Sequence, residues 1–299
     1  MTPKQTLSQA ARRKFGLTRE LFSDNFSSAE DIYFNPELRY IRECLYGAAR
    51  HGGFLALVGE SGSGKSTLRR DLISRLAAED SRVIPIEPYV LGLDKNERRS
   101  LGVSAKHITE SILSALDPEH CGATLSAERL FRRMHERLRE SSRAGNRHLL
   151  IIEEAHSLPL RTIKQLKRFY ELDDGLTRLL SILLLGQPEL RSKLADGATA
   201  WDVREVVQRL EILELYPLDD LEGYVRHRCV RVGAKYEDIF DASALDALRL
   251  RLSGPSPRNG QAGQSLLYPL LVGNTLTAAV NKAAELKMPR VTADVIAGA

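Results

Sequence analysis

The run Phe54-Leu55-Ala56-Leu57-Val58 leads straight into Gly59-Glu60-Ser61-Gly62-Ser63-Gly64-Lys65-Ser66-Thr67, and this junction constrains the fold more than any other stretch. Five apolar residues ending in a glycine-rich turn read as a buried strand. Beyond the turn, Leu68, Leu72 and Leu76 share one face of a helix that starts near Lys65. Strand, G-x-x-x-x-G-K-[ST] loop and helix together make a phosphate cradle, because glycines let backbone N–H groups curl around oxygens at a helix N-terminus. In such a cradle Lys65 neutralises the β- and γ-phosphates of a nucleoside triphosphate and the Ser66 hydroxyl binds Mg²⁺.

The alternation continues downstream. "RVIPIEP" (82–88), "HLLIIEE" (148–154), "RLLSILLLG" (178–186) and "LEILELYPL" (210–218) read as four more strands, with helices expected over 104–116, 126–142 and 160–172. The run at 148–154 is apolar enough to be buried on both faces of a parallel sheet. The expected class is α/β, a five-stranded parallel sheet flanked by helices. From about Leu218 the pattern is wholly helical, over 218–232, 242–252 and 266–287, with the Gly- and Pro-rich "SGPSPRNGQAGQ" (253–264) as a loop. A chain of 299 residues has room for two units. The expected boundaries are a basic N-terminal arm at 1–20, an α/β nucleotide-binding domain at 21–217 and a small helical domain at 218–299.

Three further motifs carry chemistry. In "LLIIEEAH" a buried strand ends in two carboxylates, placing Glu153 beside the Mg²⁺ shell and Glu154 where it can orient an attacking water. In "LGQPEL" the strand tip carries Gln187, which is either a γ-phosphate contact or a turn residue ahead of a Pro-initiated helix. "VREVVQRLEIL" places Arg204 and Arg209 just before the fifth strand, where an arginine can reach a neighbouring subunit's nucleotide or simply end a helix on the surface.

Charge is uneven although the net is only +4. Lys4, Arg12, Arg13, Lys14 and Arg19 face Glu20 alone in the first twenty residues; Lys95, Arg98, Arg99 and Lys106 form a second cluster; Arg161, Lys164, Lys167 and Arg168 form a third without an acid among them. Such patches suit an anionic partner, and each on its own also reads as a solvated helix face. Cys44, Cys121 and Cys229 lack metal or disulfide spacing and read as small apolar residues of a reducing compartment. No apolar stretch approaches a membrane span, and the first residues lack the pattern of a secretory signal, so a cytoplasmic protein is expected.

In order and spacing, "NPELRYI", "GESGSGKST", "LLIIEEAHSL", "LLLGQPEL", "VVQRL" and "YPLDDLEGYVRHR" resemble the AAA+ ATPases. Within them the likeness is to the branch holding the DNA-transposition ATPases (phage Mu B-like and Tn7 TnsC-like) and the ExeA secretion ATPases, and it covers about residues 15–296. The resemblance implies a P-loop AAA+ domain with an all-helical lid, ATP and Mg²⁺ as cofactors, and Walker A at Gly59–Thr67. It further implies Walker B at Glu153 and Glu154, sensor 1 near Gln187 and an arginine finger at Arg209. Relatives often carry "GNPR" in the lid, where this chain has Gly273-Asn274-Thr275-Leu276; Leu276 cannot contact phosphate, and Lys282 is a distant substitute.

The transposition members imply a slow ATPase, stimulated by DNA or transposase, that polymerises through ATP-bridged interfaces on duplex DNA and recruits a transposase. Hydrolysis then drives disassembly, in a bacterial cell, with a phage or mobile element as one source of the gene. In that setting Lys95, Arg98, Arg99, Arg161, Lys164, Lys167 and Arg168 are the expected DNA contacts, made to the backbone and independent of sequence. The alternative is an ExeA-like ATPase serving a secretion or envelope assembly.

Overall fold

The computed structural model describes residues 3–88, 104–118, 126–195, 203–253 and 265–299. The chain divides into two compact units. One comprises Leu38–Glu60 and Leu68–Leu215; the other comprises Met1–Glu37, Ser61–Thr67 and Tyr216–Ala299.

The α/β unit is organised by strands β1 (Phe54–Gly59), β2 (Val83–Ile86), β3 (Arg147–Ile152), β6 (Ser181–Gly186) and β7 (Glu211–Leu215). They form one parallel sheet in the order β2-β3-β6-β1-β7. β1 and β6 are buried along their whole length, as strands covered by helices on both faces must be. Pro85 sits in β2 at the sheet edge, where its missing N–H costs no ladder bond on the open side. β7, the opposite edge, leaves Glu211 exposed and anchors Glu214 to Arg191 at 2.7 Å.

Helices α2 (Pro36–His51), α3 (Lys65–Ala78), α4 (Ala105–Leu116), α5 (Ala127–Arg143), α6 (Leu160–Tyr170) and α7 (Pro188–Ala195) connect the strands. Ile108, Ile112, Met134, Leu138, Ile163, Leu166 and Phe169 meet Ala56, Val58, Leu150, Ile152, Ile182 and Leu184 in one core. On α2 and α3, Arg42 grips Asp71 through Nε at 2.6 Å and a second nitrogen at 3.1 Å.

The strand expected to begin at Arg178 starts at Ser181 instead. Thr177 and Arg178 (β5) pair antiparallel with Asp173 and Asp174 (β4) around Gly175, whose φ of 67° suits a hairpin turn.

The helical unit contains α1 (Gln9–Phe15), α8 (Leu221–Arg231), α9 (Tyr236–Ile239), α10 (Ala244–Leu252), α11 (Pro269–Glu285) and α12 (Ala293–Gly298). Residues 1–20, expected as a separate arm, contribute Leu7, Ala11 and Leu17 to its core beside Val272, Leu276, Ala279 and Ala283. The Ser8 hydroxyl caps α1 by accepting from Ala11 N, and Gly16 ends it in the left-handed region. Asn281 on α11 fastens this segment: its Oδ1 accepts from Ser8 N at 2.8 Å and its Nδ2 donates to Thr6 O at 2.9 Å.

Arg228, 7% exposed, donates to the carbonyls of Leu21, Ser23 and Asp31, so the stretch that follows α1 is closed over α8 by a buried guanidinium. The Ser27 amide, followed by the Arg231 guanidinium, holds the Asp31 carboxyl below the usual carboxylate range. Cys229 is buried in the same core, and burial pushes its thiol up to about 12, which leaves it unreactive. Cys44 is only partly buried, and Cys121 lies outside the described residues.

Candidate functional site

Parallel strands bring their carboxyl ends to one edge of the sheet, and three neighbours, β3, β6 and β1, end in the residues singled out by their chemistry. Ile152 pairs with Leu184 and Gly186 pairs with Val58, so Glu153, Gln187 and Gly59 emerge side by side from the same edge.

Glu153 and Glu154 differ sharply in setting. Glu153 Oε1 lies 3.0 Å from Nε of Arg69, which also contacts Glu87 beyond the end of β2. One guanidinium thus holds two carboxylates of adjacent strand ends. Glu154 takes φ 50° and ψ 35°, a left-handed conformation that costs an L-residue on the order of 1–2 kcal/mol. The Ser157 N–H and hydroxyl both donate to the Glu154 carbonyl, and Lys193 Nζ donates to the carbonyls of His156 and Leu158, so the turn is held from two sides.

His156 links the carboxylate to the next strand. Its Nε2 is 3.5 Å from Glu154 Oε2, while its Nδ1 accepts from Gln187 N at 3.4 Å. An accepting Nδ1 places the ring proton on Nε2, toward Glu154. Neither Arg69 nor His156 was marked by motif reasoning, although His156 stands inside the "EEAH" run that located the carboxylates. Gln187 itself enters this chain through its backbone N–H.

The glycine-rich loop follows β1 directly and opens α3. Gly62 and Gly64 adopt φ of 78° and 107°, a conformation that side-chain-bearing residues rarely take. A Cβ on Gly62 would come 2.4 Å from Cβ of Leu270, so that position is closed to other residues. Ser63 Oγ is buried without a hydrogen-bond partner among the described residues, the mark of a cradle built to receive a polar group from elsewhere. Ser66 is exposed at the start of α3, Ser61 is exposed, and Glu60, Lys65 and Thr67 are partly so. These residues fit a nucleotide triphosphate, and Ser66 and Glu153 have the oxygen donors that Mg²⁺ prefers.

The remaining expected residues are scattered more widely. Arg161, Lys164 and Arg168 are exposed on α6, whose other face carries buried Ile163, Leu166 and Phe169. Lys167 is drawn into ion pairs with Glu205 at 2.6 Å and Glu171 at 3.8 Å, so its charge is already answered within the chain. Arg209 donates to the Glu205 carbonyl and lies 3.0 Å from Glu171 Oε1. Lys95, Arg98 and Arg99 lie outside the described residues. In the helical unit Leu276 is fully buried, and Lys282 donates to the Gly298 carbonyl. Among the described residues no helix is long and apolar enough to cross a membrane, and no group of three or more His, Cys, Asp or Glu could hold a metal ion by itself.

Comparison with known proteins places this geometry. Residues 48–194 match the AAA domain family. The chain is 31% identical over 255 residues to general secretion pathway protein A of Aeromonas hydrophila; the match takes in 82% of this chain and 42% of that protein, so less than half of the relative's length is represented. Among solved structures, Cdc6p from Pyrobaculum aerophilum superposes with a TM-score of 0.59 at 15% identity, covering 96% of this chain and 69% of that one. The ORC2 protein of Aeropyrum pernix, in ADPNP–ADP complexes, gives 0.55 at 16% identity, covering 93% and 70%. At such identities these two likenesses speak for the fold alone. With the strand order, the glycine loop and the paired carboxylates, they lead to one conclusion: residues 48–194 are similar to the AAA domain family, and the chain has the AAA+ P-loop fold.

Proposed function

We propose that this protein is an ATPase whose nucleotide cycle controls its assembly into oligomers, and that the oligomer binds duplex DNA and recruits a transposase. The observation that carries the ATPase reading is the glycine loop with its left-handed Gly62 and Gly64 and its unpartnered, buried Ser63 hydroxyl. In this reading Gly59, Glu60, Ser61, Gly62, Ser63, Gly64, Lys65, Ser66 and Thr67 form the phosphate cradle. Lys65 neutralises the β- and γ-phosphates, and Ser66 and Glu153 hold the metal. Mg²⁺, when bound, supplies positive charge to the phosphate oxygens.

Glu154 orients the attacking water and takes its proton, with the Nε2–H of His156 fixing the carboxylate. Arg69 must then share Glu153 with the metal while keeping Glu87. Arg209 acts on a neighbouring copy's nucleotide after leaving Glu171, which ties the loss of an in-chain ion pair to assembly. Gln187 is positioned to sense the γ-phosphate.

The DNA reading draws support from the resemblance to the transposition branch and from Arg161, Lys164 and Arg168 on the exposed face of α6. Many subunits each making a few phosphate contacts would bind tightly, without base readout and with steep salt dependence. A second reading, service to a secretion assembly, is favoured by the 31% identity to general secretion pathway protein A. Electron microscopy with ATP, Mg²⁺ and a long duplex at low ionic strength separates them. Oligomers along the duplex, trapped by Glu154→Gln and lost in Lys65→Ala, are expected. ATP-dependent oligomers whose formation and hydrolysis ignore DNA would transfer the assignment to the secretion reading. A chain that stays monomeric under all conditions would remove the assembly proposal itself.

A further inference from the structure

The opposite edge of the same sheet carries a second, differently charged site. The amino ends of β1, β3 and β6 open onto a cavity of about 210 Å³ lined by Arg50, His51, Gly52, Arg147, Arg178 and neighbouring backbone. Among the described residues no carboxylate lines it. We propose that this cavity binds a phosphate group, away from the strand ends that bear Gly59, Glu153 and Gln187.

Size argues against a whole nucleotide. Pockets for drug-sized ligands run to roughly 300–1,000 Å³, so this one suits a small tetrahedral oxyanion or a single phosphate of a polymer. Charge argues for an anion: three arginines line the cavity, and a guanidinium presents its N–H donors in a planar fork that matches phosphate oxygens.

The arginines are also held ready rather than consumed. Arg178 stacks over the Tyr170 ring at 4.9 Å and spends one donor on the Tyr170 carbonyl. Arg50 stacks over Tyr46 at 5.5 Å and spends one on the Tyr46 hydroxyl. Stacking fixes the plane of each fork and leaves its remaining donors at the edge. The carboxylate closest in influence is Glu79, which accepts from the same Tyr46 hydroxyl that Arg50 donates to and does not itself line the cavity; Arg147 and Arg178 therefore carry most of the site's positive charge. Asp174 in the neighbouring hairpin is already paired with Arg139 and Arg143.

The backbone supports this use. Gly52 has φ 90°, and a Cβ there would come 3.2 Å from Cβ of Arg178, so glycine lets the β4–β5 hairpin seat Arg178 against the cavity floor. The Tyr170 hydroxyl donates to the Gly52 carbonyl at 3.2 Å, locking that floor to α6.

Two phosphate sources share this chemistry, a free anion and the backbone of a nucleic acid. Inorganic phosphate is titrated into the 299-residue chain carrying Lys65→Ala, which silences the glycine loop, with the Gly52 and Thr177 amide shifts as readout. A duplex of about 30 base pairs, three helical turns, is titrated into protein with Lys65 intact, in the presence of ATP, with anisotropy as readout. The expected result is that Arg147→Ala with Arg178→Ala weakens at least one probe about tenfold or more; the exposed Arg147→Glu alone, which leaves the Tyr170 stack intact, does likewise. Weakened phosphate binding alone assigns a small anion, and weakened duplex binding, with a salt slope reduced by about one per lost contact, assigns the polymer. Unchanged binding of both probes, or no binding of either by the parent proteins, overturns the proposal. Loss of ATP hydrolysis leaves the phosphate titration untouched, so this site and the ATPase reading fail separately.

Discussion

The core around β1 draws its side chains from Phe54 to Leu210, one continuous stretch of sequence. The core around α11 takes Leu7, Ala11, Leu17 and Leu21 from one end of the chain and Val291, Val295 and Ile296 from the other. In the first, strand pairing and helix crossovers bury apolar residues against near neighbours. In the second, the two ends meet in a shared apolar core that polar groups also fasten: Asn281 to Thr6 and Ser8, and Arg228 to Leu21, Ser23 and Asp31. The comparison teaches that one unit buries apolar residues brought together by consecutive strands and helices, while the other buries residues from distant parts of the chain and adds long-range hydrogen bonds to fix them.

Substitutions can break that contrast. The largest effect is expected from Leu276→Arg at a fully buried position; an unpaired charge there should cost more than about 4 kcal/mol and unfold the helical unit. Thermal denaturation should split into two transitions, and a single unchanged transition would refute the burial argument. Leu57→Ala, in fully buried β1, should cost about 3 kcal/mol and leave amide protection of residues 3–24 unchanged.

Arg228→Ala should cost about 2 kcal/mol, with the opposite signature: amides of 3–31 lose protection while β1, β3 and β6 keep theirs. Equal loss in both units would mean that the stitching is not local to one. Ser8→Ala, removing the cap of α1, should cost about 1 kcal/mol by chemical denaturation.

The smallest effect is shared by the two units. Burial lowers the pKa of His148 in β3 and of His227 in α8, so each imidazole is kept neutral in the fold. A base whose folded pKa is depressed contributes fully above its unfolded value near 6.5 and loses that contribution as pH falls below it. Stability should therefore decline from about pH 6.5 downward, by no more than about 1 kcal/mol per histidine at pH 6. His148→Gln and His227→Gln should each flatten part of that slope in denaturant titrations; a slope unmoved by both would assign it to carboxylates.

Sequence made the α/β unit legible because strands covered on both faces leave continuous apolar runs, and because the glycine loop has to sit between a strand and a helix. Arg178 falls inside the strand expected from sequence because nothing in "DDGLTRLLS" separates a two-residue hairpin arm from the strand it feeds. The helix at Gln9–Phe15 carries readable signals, Ser8 before it and Gly16 after it, yet its packing against α11 depends on residues about 270 positions away that no local pattern reveals. At the site, residue types announced the carboxylates. Arg69 and His156 emerged only with the geometry, since a single arginine in a helix and a histidine after two glutamates are ordinary in composition.

The clamp between Asn281 and residues 6–8 also sets an order of assembly during translation. Leu7 to Leu21 leave the ribosome first, but the apolar surface that receives them is complete only when Val291 to Ile296 emerge. At roughly 5–20 residues per second that wait is on the order of tens of seconds. Over that interval the apolar side chains of Leu7 to Leu21 stay uncovered, while the β1-centred unit has all the residues it needs to close.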